Sequence, residues 1–296
     1  MKKLLAGLLF LSSTVMAAPT ATEQAATAAR EKEMLRAVRS GALSRGAHAS
    51  AALTTGYDQW IFIPAAGSLQ GNFGTFYKSD VMIANYRGQQ QKVRVRWIPQ
   101  GGSGFSTTVQ YLTIPANTAV NLTDAVASLM HYSGLGSLEL VARLPDDSSI
   151  DLNAQIDAFS RIYTPQPNTT LGTVSQNFGG SGIFQIEGSG QAFALGLRQD
   201  SNFRTNVGIL NADFSNPHTW TVQVVGLNGS TSFQVTVPAF SMIQTNIPSG
   251  NYGSLYVVFT PPNDVTSSDS WTAYASSTDN GTGDGWVSPA TQITNQ

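Results

Sequence analysis

Phe203-Arg204-Thr205-Asn206-Val207-Gly208-Ile209-Leu210-Asn211 decides the reading of this chain, because the same order occurs earlier at Tyr77-Lys78-Ser79-Asp80-Val81-Met82-Ile83-Ala84-Asn85. Both stretches run aromatic, cation, hydroxyl, Asp or Asn, Val, any residue, Ile, apolar, Asn. A match of residue character over so many consecutive positions predicts an internal repeat, and a repeat frames every other assignment. Further pairs extend it. Val237-Pro238-Ala239 answers Ile114-Pro115-Ala116, and Asn246-Ile247 answers Asn121-Leu122. Gly253-Ser254-Leu255-Tyr256-Val257-Val258 answers Gly136-Ser137-Leu138-Glu139-Leu140-Val141, and Ala273-Tyr274-Ala275 answers Ala158-Phe159-Ser160. The offset falls from 126 to 115 along the chain as loops shorten. Matches in one order with gaps between them are what a duplicated domain leaves.

The segments between these matches read as short strands bounded by turns. Trp60-Ile61-Phe62-Ile63 is an apolar run stopped at Pro64. In residues 92–97 the cations Lys92, Arg94 and Arg96 alternate with Val93, Val95 and Trp97, which puts charge on one strand face and apolar groups on the other. Such a charged face reads as solvated, or as an edge protected from pairing. Residues 121–131 are the one short helix expected in the body, with Thr123 as its cap and Val126, Leu129 and Met130 on one side. The connections are too short for parallel βαβ units. The expected fold is therefore all-β: two tandem, internally duplicated antiparallel β-sandwich modules, with a helical or disordered N-terminal leader.

Composition agrees. Of 296 residues, 41% are hydrophobic, enough to build cores, while 11% are charged against about 25% in typical domains. The absence of cysteine excludes disulfides, thiolate metal sites and a cysteine nucleophile. Residues 1–46 hold seven basic and three acidic residues, and the rest hold nine and 15. A weakly acidic body argues against nucleic acid as the partner.

Met1-Lys2-Lys3 and the apolar run that follows, ending in Met16-Ala17-Ala18, have the form of a secretory signal cleaved after Ala17 or Ala18. The run is too short to span a bilayer comfortably, and no later segment is apolar enough. Export to the periplasm or the extracellular space follows as an expectation. The divisions expected are a signal peptide at 1–18, a polar helical or disordered leader and linker at 19–56, and module one at 57–166. An inter-module segment at 167–190, module two at 191–290 and a tail at 291–296 complete the chain. The leader has helix-forming composition but sparse apolar residues (Ala29, Met34, Leu35, Val38), and reads as solvated.

The second copy of the repeat, taken with Trp271-Thr272-Ala273-Tyr274-Ala275-Ser276-Ser277-Thr278-Asp279-Asn280-Gly281-Thr282-Gly283-Asp284, resembles modules of uncharacterised secreted bacterial proteins. Those carry an F-R-T-N-apolar strand and a Y-A-S-x-x-D-N-x-[ST]-G-D hairpin. The resemblance spans roughly residues 60–289 and implies a secreted or surface β-sandwich without a known active site. Module one keeps the strand but has Arg161-Ile162-Tyr163-Thr164-Pro165 in place of the hairpin ending.

Candidate sites are few. The 279–284 turn offers the oxygens of Asp279, Asn280 and Asp284. It reads first as an Asn-Gly hairpin and second as a calcium site at Asp279 and Asp284 whose spacing departs from the EF-hand. Trp286, after that turn, is the tryptophan expected on the surface, whereas Trp97 and Trp271 belong to strand patterns. Gly101-Gly102-Ser103-Gly104 lacks the context of a nucleophile elbow. His131 reads as a surface residue. No pair among Asp151, Asp157, Glu187 and Asp200 is marked as a glycosidase couple. The reading is a non-enzymatic exported structural or interaction protein, adhesion-like, with a protein or glycan partner, no catalytic residue and no cofactor. Its alternatives are a carbohydrate-binding module and, behind that, a secreted hydrolase.

Overall fold

The computed structural model describes residues 19–39, 59–71, 74–166, 172–182, 190–266 and 269–292. The expected signal peptide, the linker after residue 39, Glu187 and residues 167–171 and 183–189 of the inter-module segment lie outside the described residues. Strands dominate and every named pairing is antiparallel, as the alternation and turn signals predict.

The first half holds β1 (Trp60–Gln70), β2 (Phe76–Asn85), β3 (Gln91–Pro99), β4 (Val109–Ile114), β5 (Thr118–Leu122), β6 (Gly134–Arg143), β7 (Ile156–Pro165), β8 (Thr173–Gly179) and β9 (Ser181–Gly182). They form two leaves, β4-β3-β6-β1-β9 and β5-β2-β7-β8, joined where Leu69 and Gln70 of β1 pair with Tyr77 and Phe76 of β2. The second half holds β10 (Ala192–Gln199), β11 (Phe203–Asn211), β12 (His218–Gly226), β13 (Gly229–Val237), β14 (Ser241–Asn246), β15 (Gly253–Thr260), β16 (Trp271–Asp279), β17 (Gly285–Pro289) and β18 (Thr291–Gln292). Its leaves run β13-β12-β15-β10-β18 and β14-β11-β16-β17. The strand order of the first half thus recurs in the second. The segment 173–182 belongs to the first pair of leaves as β8 and β9.

Each half is a sandwich because strand alternation turns one side of both leaves inward. In β11 the inward residues are Thr205, Val207, Ile209 and Asn211; in β2 they are Ser79, Val81, Ile83 and Asn85, all buried. Val81 and Ile83 pack with Ile61, Val95, Trp97 and Leu140 across the first sandwich. Val207 and Ile209 pack with Trp220, Val222, Val257 and Phe259 across the second. The terminal Asn has a fixed task. Asn85 Nδ2 donates to Ile114 O and Pro115 O at 3.3 and 3.0 Å, and Asn211 Nδ2 donates to Val237 O and Pro238 O at 3.4 and 3.1 Å. Each amide satisfies carbonyls at a strand end beside a proline.

A third apolar core lies in the seam between the halves. Trp60, Phe62, Ile98, Phe105 and Val141 meet Leu210, Phe214, Phe240 and Met242, with Ala28 and Met34 packed on them. Gly208 and Tyr274 show how closely the halves are fitted. A Cβ on Gly208 would lie 2.2 Å from the Tyr274 ring, so the missing side chain leaves room for the phenol to lie across β11. That ring then meets Phe178 of β8 edge-on at 5.0 Å and donates its hydroxyl to Gln244 Oε1 at 2.6 Å. An aromatic laid over a strand glycine recovers the burial that glycine forfeits.

Ala28 and Met34 come from α1 (Ala21–Arg39). Thr20 and Glu23 start this helix with reciprocal bonds: Glu23 N donates to Thr20 Oγ1, and Thr20 N donates to Glu23 Oε2 at 2.7 Å. That is a capping box. Ala28, Glu31 and Met34 recur every three residues and share a stripe. Glu31 is buried, and its Oε1 accepts from Arg94 Nη1 at 2.7 Å and Arg96 Nη2 at 2.6 Å. Glu139 of β6 completes the group, bonded by Arg94 Nη2 at 3.2 Å and by Trp60 Nε1 at 2.9 Å. On the other side of the seam, Lys32 Nζ donates to Ser215 Oγ at 3.0 Å. The helix is a strap bonded to both halves.

Three expectations are corrected here. The Arg94 and Arg96 face is not solvated, and β3 is no edge, since it lies between β4 and β6. The leader is not a solvated helix; its central carboxylate is buried against those arginines. The expected helix at 121–131 shrinks to α2 (Ala125–Ser128), because Asn121 and Leu122 pair with β2 as part of β5. Asp124, at φ 47°, precedes it without a side-chain cap, so Thr123 does not cap it. Val126, Leu129 and Met130 are nonetheless buried in the first core.

Glu31→Ala leaves two buried guanidinium groups with Glu139 alone. Breaking a buried pair costs about 3–5 kcal/mol, so denaturant unfolding should show a loss of that order together with protease sensitivity of α1. A loss below about 1 kcal/mol would show that the helix is held by something else.

Candidate functional site

The outer side of the β14-β11-β16 leaf changes character along its length. Leu210 and Met242, paired across β11 and β14, close the seam core at one end. Two residues back stand Gly208 and Gln244, then Asn206 and Asn246, then Arg204 beside Thr278. The polar end faces the open end of the first sandwich, and a cleft of about 1100 Å³ lies between them. Its first-half wall includes Phe76, Tyr77, Thr164, Gln176 and Phe178; its second-half wall includes Arg204, Asn206, Gln244, Asn246, Thr278 and Asn280. Amides, hydroxyls and aromatic rings make up most of the polar and ring surface. Among the described residues no aspartate, glutamate or histidine lines it. Arg204 is the one cation among the described residues that line it, and its guanidinium donates to Asn280 Oδ1 at 2.8 Å.

The 279–284 turn forms part of this wall through Asn280, Gly281 and Gly283. Its geometry is that of a closed hairpin. Asp279 Oδ1 accepts the amides of Gly281 and Thr282 at 2.7 and 3.1 Å, Asp279 N donates to Asp284 O, and Gly283 N donates to Asp279 O. The Asp279 carboxylate is engaged by the turn's own amides, and the side chain the turn contributes to the cleft is that of Asn280. Trp286 does not line the cleft: paired with the inward-facing Ser277, it stands on the other side of the leaf, half-exposed, with its ring against Phe203 at 5.8 Å and Nε1 donating to Gly196 O at 2.8 Å. Trp97 and Trp271 are buried as expected, and so is Trp220.

Among the described residues one group of three His, Asp or Glu side chains could hold a metal ion: Asp213, His218 and Asp269. His218 Nε2 lies 3.0 Å from Asp213 Oδ2, and Nδ1 lies 3.4 Å from Asp264 Oδ1 without hydrogen-bond alignment. The first half holds the same loop with other chemistry. There Arg87, two residues after Asn85 as Asp213 is after Asn211, bonds Gln91 Oε1 at 3.0 Å and Asp151 Oδ2 at 2.5 Å. Gln91 and His218 each open their strand opposite the residue before a proline. A task met by Arg–Gln–Asp in one half and Asp–His–Asp in the other is a loop staple, and ligation is not needed to explain it. Burial works to raise the Asp213 pKa. The Ser215 amide, the Asn216 side chain and His218 outweigh it and hold the carboxyl below its ordinary range.

The remaining sequence candidates are separated. Asp151 is bonded by Arg87, Asp200 by Arg198 Nε at 2.6 Å, and Asp157 accepts the Ala158 amide. His131 is exposed at φ 60°. Ser103 Oγ accepts the Phe105 amide at the start of the 3₁₀ turn Gly104–Ser106, and a Cβ on Gly104 would lie 2.8 Å from Phe240. The glycine run therefore serves close packing at the seam. Neither the cleft nor the buried Glu31 was legible from single strands, because each joins residues more than 60 positions apart. No known family model and no curated protein matches the chain.

The depressed Asp213 carboxyl contributes stability that is full above the unfolded value of about 3.9 and is lost as pH falls through the folded one. Asp213→Ala should lower stability at pH 7 by about 1–3 kcal/mol and flatten the loss of stability between about pH 4 and pH 2. Unchanged stability at both ends of that range would remove the staple.

Proposed function

We propose that this is an exported, non-enzymatic interaction protein of the bacterial surface or extracellular space, and that the cleft between its halves is where it holds a ligand. The observation that carries the reading is the chemistry of the cleft wall. General acid–base catalysis needs a carboxyl or imidazole within reach of the reacting bond, and the described residues of the lining offer neither. It offers amides that donate and accept, hydroxyls, and the rings of Phe76 and Tyr77. That set suits a hydroxyl-rich, largely uncharged chain such as a polysaccharide, which hydrogen-bonds through many weak groups and stacks its faces on rings. The carbohydrate-binding alternative is thereby favoured over the hydrolase. It rests on the cleft and not on a tryptophan platform, since Trp220 and Trp271 are core residues. Export rests on the N-terminal sequence alone; the mature protein should begin at Ala18 or Pro19.

Calorimetric titration with a panel of neutral and acidic polysaccharides tests the cleft. Binding to at least one glycan is expected, weakened about tenfold by Asn206→Ala or Asn246→Ala, since one lost hydrogen bond is worth about 0.5–1.5 kcal/mol. Asp279→Ala should weaken it only if the turn itself loosens, which its thermal midpoint would report. Binding that ignores both Asn variants, or no binding by any glycan, overturns the assignment of the cleft.

A further inference from the structure

Position by position, the two loop staples differ in charge. Gln91 matches His218, each opposite the residue before a proline, and Arg87 matches Asp213. Backbone bonds align the loops that enter β7 and β16. Ala212 N donates to Ser270 O as Tyr86 N donates to Gln155 O, and Asp269 N donates to Thr266 O as Ala154 N donates to Asp151 O. Thr266 therefore holds the place of Asp151, the partner of Arg87, and Asp269 holds the place of Ala154. The first staple sets one guanidinium against one carboxylate. In the second a carboxylate stands where the guanidinium was, and Asp264 and Asp269 are added to it. Among the described residues only His218 comes within ion-pair distance of any of these three carboxylates. The second staple has lost its cation.

One carboxylate oxygen each of Asp213 and Asp269 and one ring nitrogen of His218 lie within 4.8 Å of one another. Zinc bonds of about 2.0–2.2 Å place tetrahedral ligand atoms about 3.3–3.5 Å apart, close to the 3.0 Å between His218 Nε2 and Asp213 Oδ2. Both carboxylates are held in place, as the ligands of a metal are. Asp213 accepts from the Ser215 amide at 2.8 Å and from Asn216 Nδ2 at 3.0 Å. Asp269 Oδ2 accepts from the Thr266 amide and hydroxyl, both at 2.8 Å. The His218 side chain is 3% exposed, and its Nδ1 is buried without a hydrogen-bond partner. A neutral imidazole that donates from Nε2 to Asp213 turns a bare Nδ1 toward Asp264 Oδ1 at 3.4 Å, acceptor against acceptor. A cation on Nε2 removes that conflict. The ring proton then sits on Nδ1, where the exposed Asp264 carboxylate can turn to accept it.

We propose that Asp213, His218 Nε2 and Asp269 bind a zinc ion, with Asp264 orienting the imidazole through Nδ1. Imidazole nitrogen suits zinc, whereas Ca²⁺ and Mg²⁺ select oxygen ligands. The ion supplies the positive charge that Arg87 supplies in the first half. It also pins the loop that enters the seam: Phe214 packs in the seam core, Ser215 accepts from Lys32 of α1, and Phe240 N donates to Asp213 O at 2.7 Å. The site lies apart from the cleft and does not rest on the function proposed for it.

Calorimetric titration of the mature protein with Zn²⁺, after stripping with EDTA and removal of the chelator, tests the site. One equivalent should bind in preference to Ca²⁺ and Mg²⁺ and raise the thermal midpoint by mass action. His218→Gln matches Gln91 of the first half, and Asp269→Asn keeps an oxygen for Thr266. Each should weaken zinc binding about 10–100-fold or more, since even the loss of an outer-shell partner costs that much. Their metal-free thermal midpoints check that they fold. X-ray absorption of the wild-type zinc complex needs no variant and should show one imidazole among oxygen ligands. No zinc binding by the wild type overturns the proposal, as does binding unchanged in either folded variant. A preference for Ca²⁺ or Mg²⁺, or a zinc shell with no imidazole or more than one, overturns it too.

Discussion

Arg94 and Arg96 are buried beneath the seam, and a guanidinium stripped of water is stable only when its charge is met. Glu139, fully buried on the neighbouring strand, meets one charge. Burial raises its carboxyl while the two arginines act to lower it, and the balance leaves it raised. The second compensating carboxylate comes from outside both sandwiches, on α1, and makes the group two positive and two negative. The surrounding core depends on that neutrality. The Arg96 guanidinium lies 4.8 Å from the Phe105 ring centre, and Phe105 packs on Phe214 and Phe240 of the other half. The strap, the seam and the orientation of the halves are one arrangement.

From that closed end the same sheet face leads outward to the cleft. Along β11 the outward residues are Leu210, Gly208, Asn206 and Arg204, from apolar through glycine to amide and cation. The apolar end excludes water and fixes the halves together. The polar end cannot close without leaving amides unpartnered, so it stays open to solvent and to whatever supplies their hydrogen bonds. Rigidity at one end and recognition at the other follow from the order of four side chains on one strand.

Comparing the halves explains why the repeat was readable while its consequences were not. The inward residues of β2 and β11 agree closely: Ser79 with Thr205, Val81 with Val207, Ile83 with Ile209, Asn85 with Asn211. They answer to a sandwich interior of the same shape and to the same proline-flanked strand end. The outward residues differ, with Met82 against Gly208 and Ala84 against Leu210, because one outer face meets a neighbouring half and the other does not. The Gly208 position looked free to vary in the sequence; the structure shows it shaped by Tyr274.

By itself the sequence determined the all-β fold, the two halves, most strand positions, and the burial of Trp97 and Trp271, since alternation and turn chemistry are local and act within a few residues. It misplaced the arginine face and the leader because period two distinguishes two sides of a strand but not what covers each. Charge on a strand reads as solvent exposure unless the partner is known, and Glu31 lies 63 residues before Arg94. Only the tertiary structure decided that α1 is bonded into the seam, that the cleft lies between the halves, and that the 279–284 turn contributes an amide to it while its Asp279 carboxylate stays engaged. Each of those is a meeting of surfaces far apart in the chain, settled by burial and charge neutrality and not by local propensity.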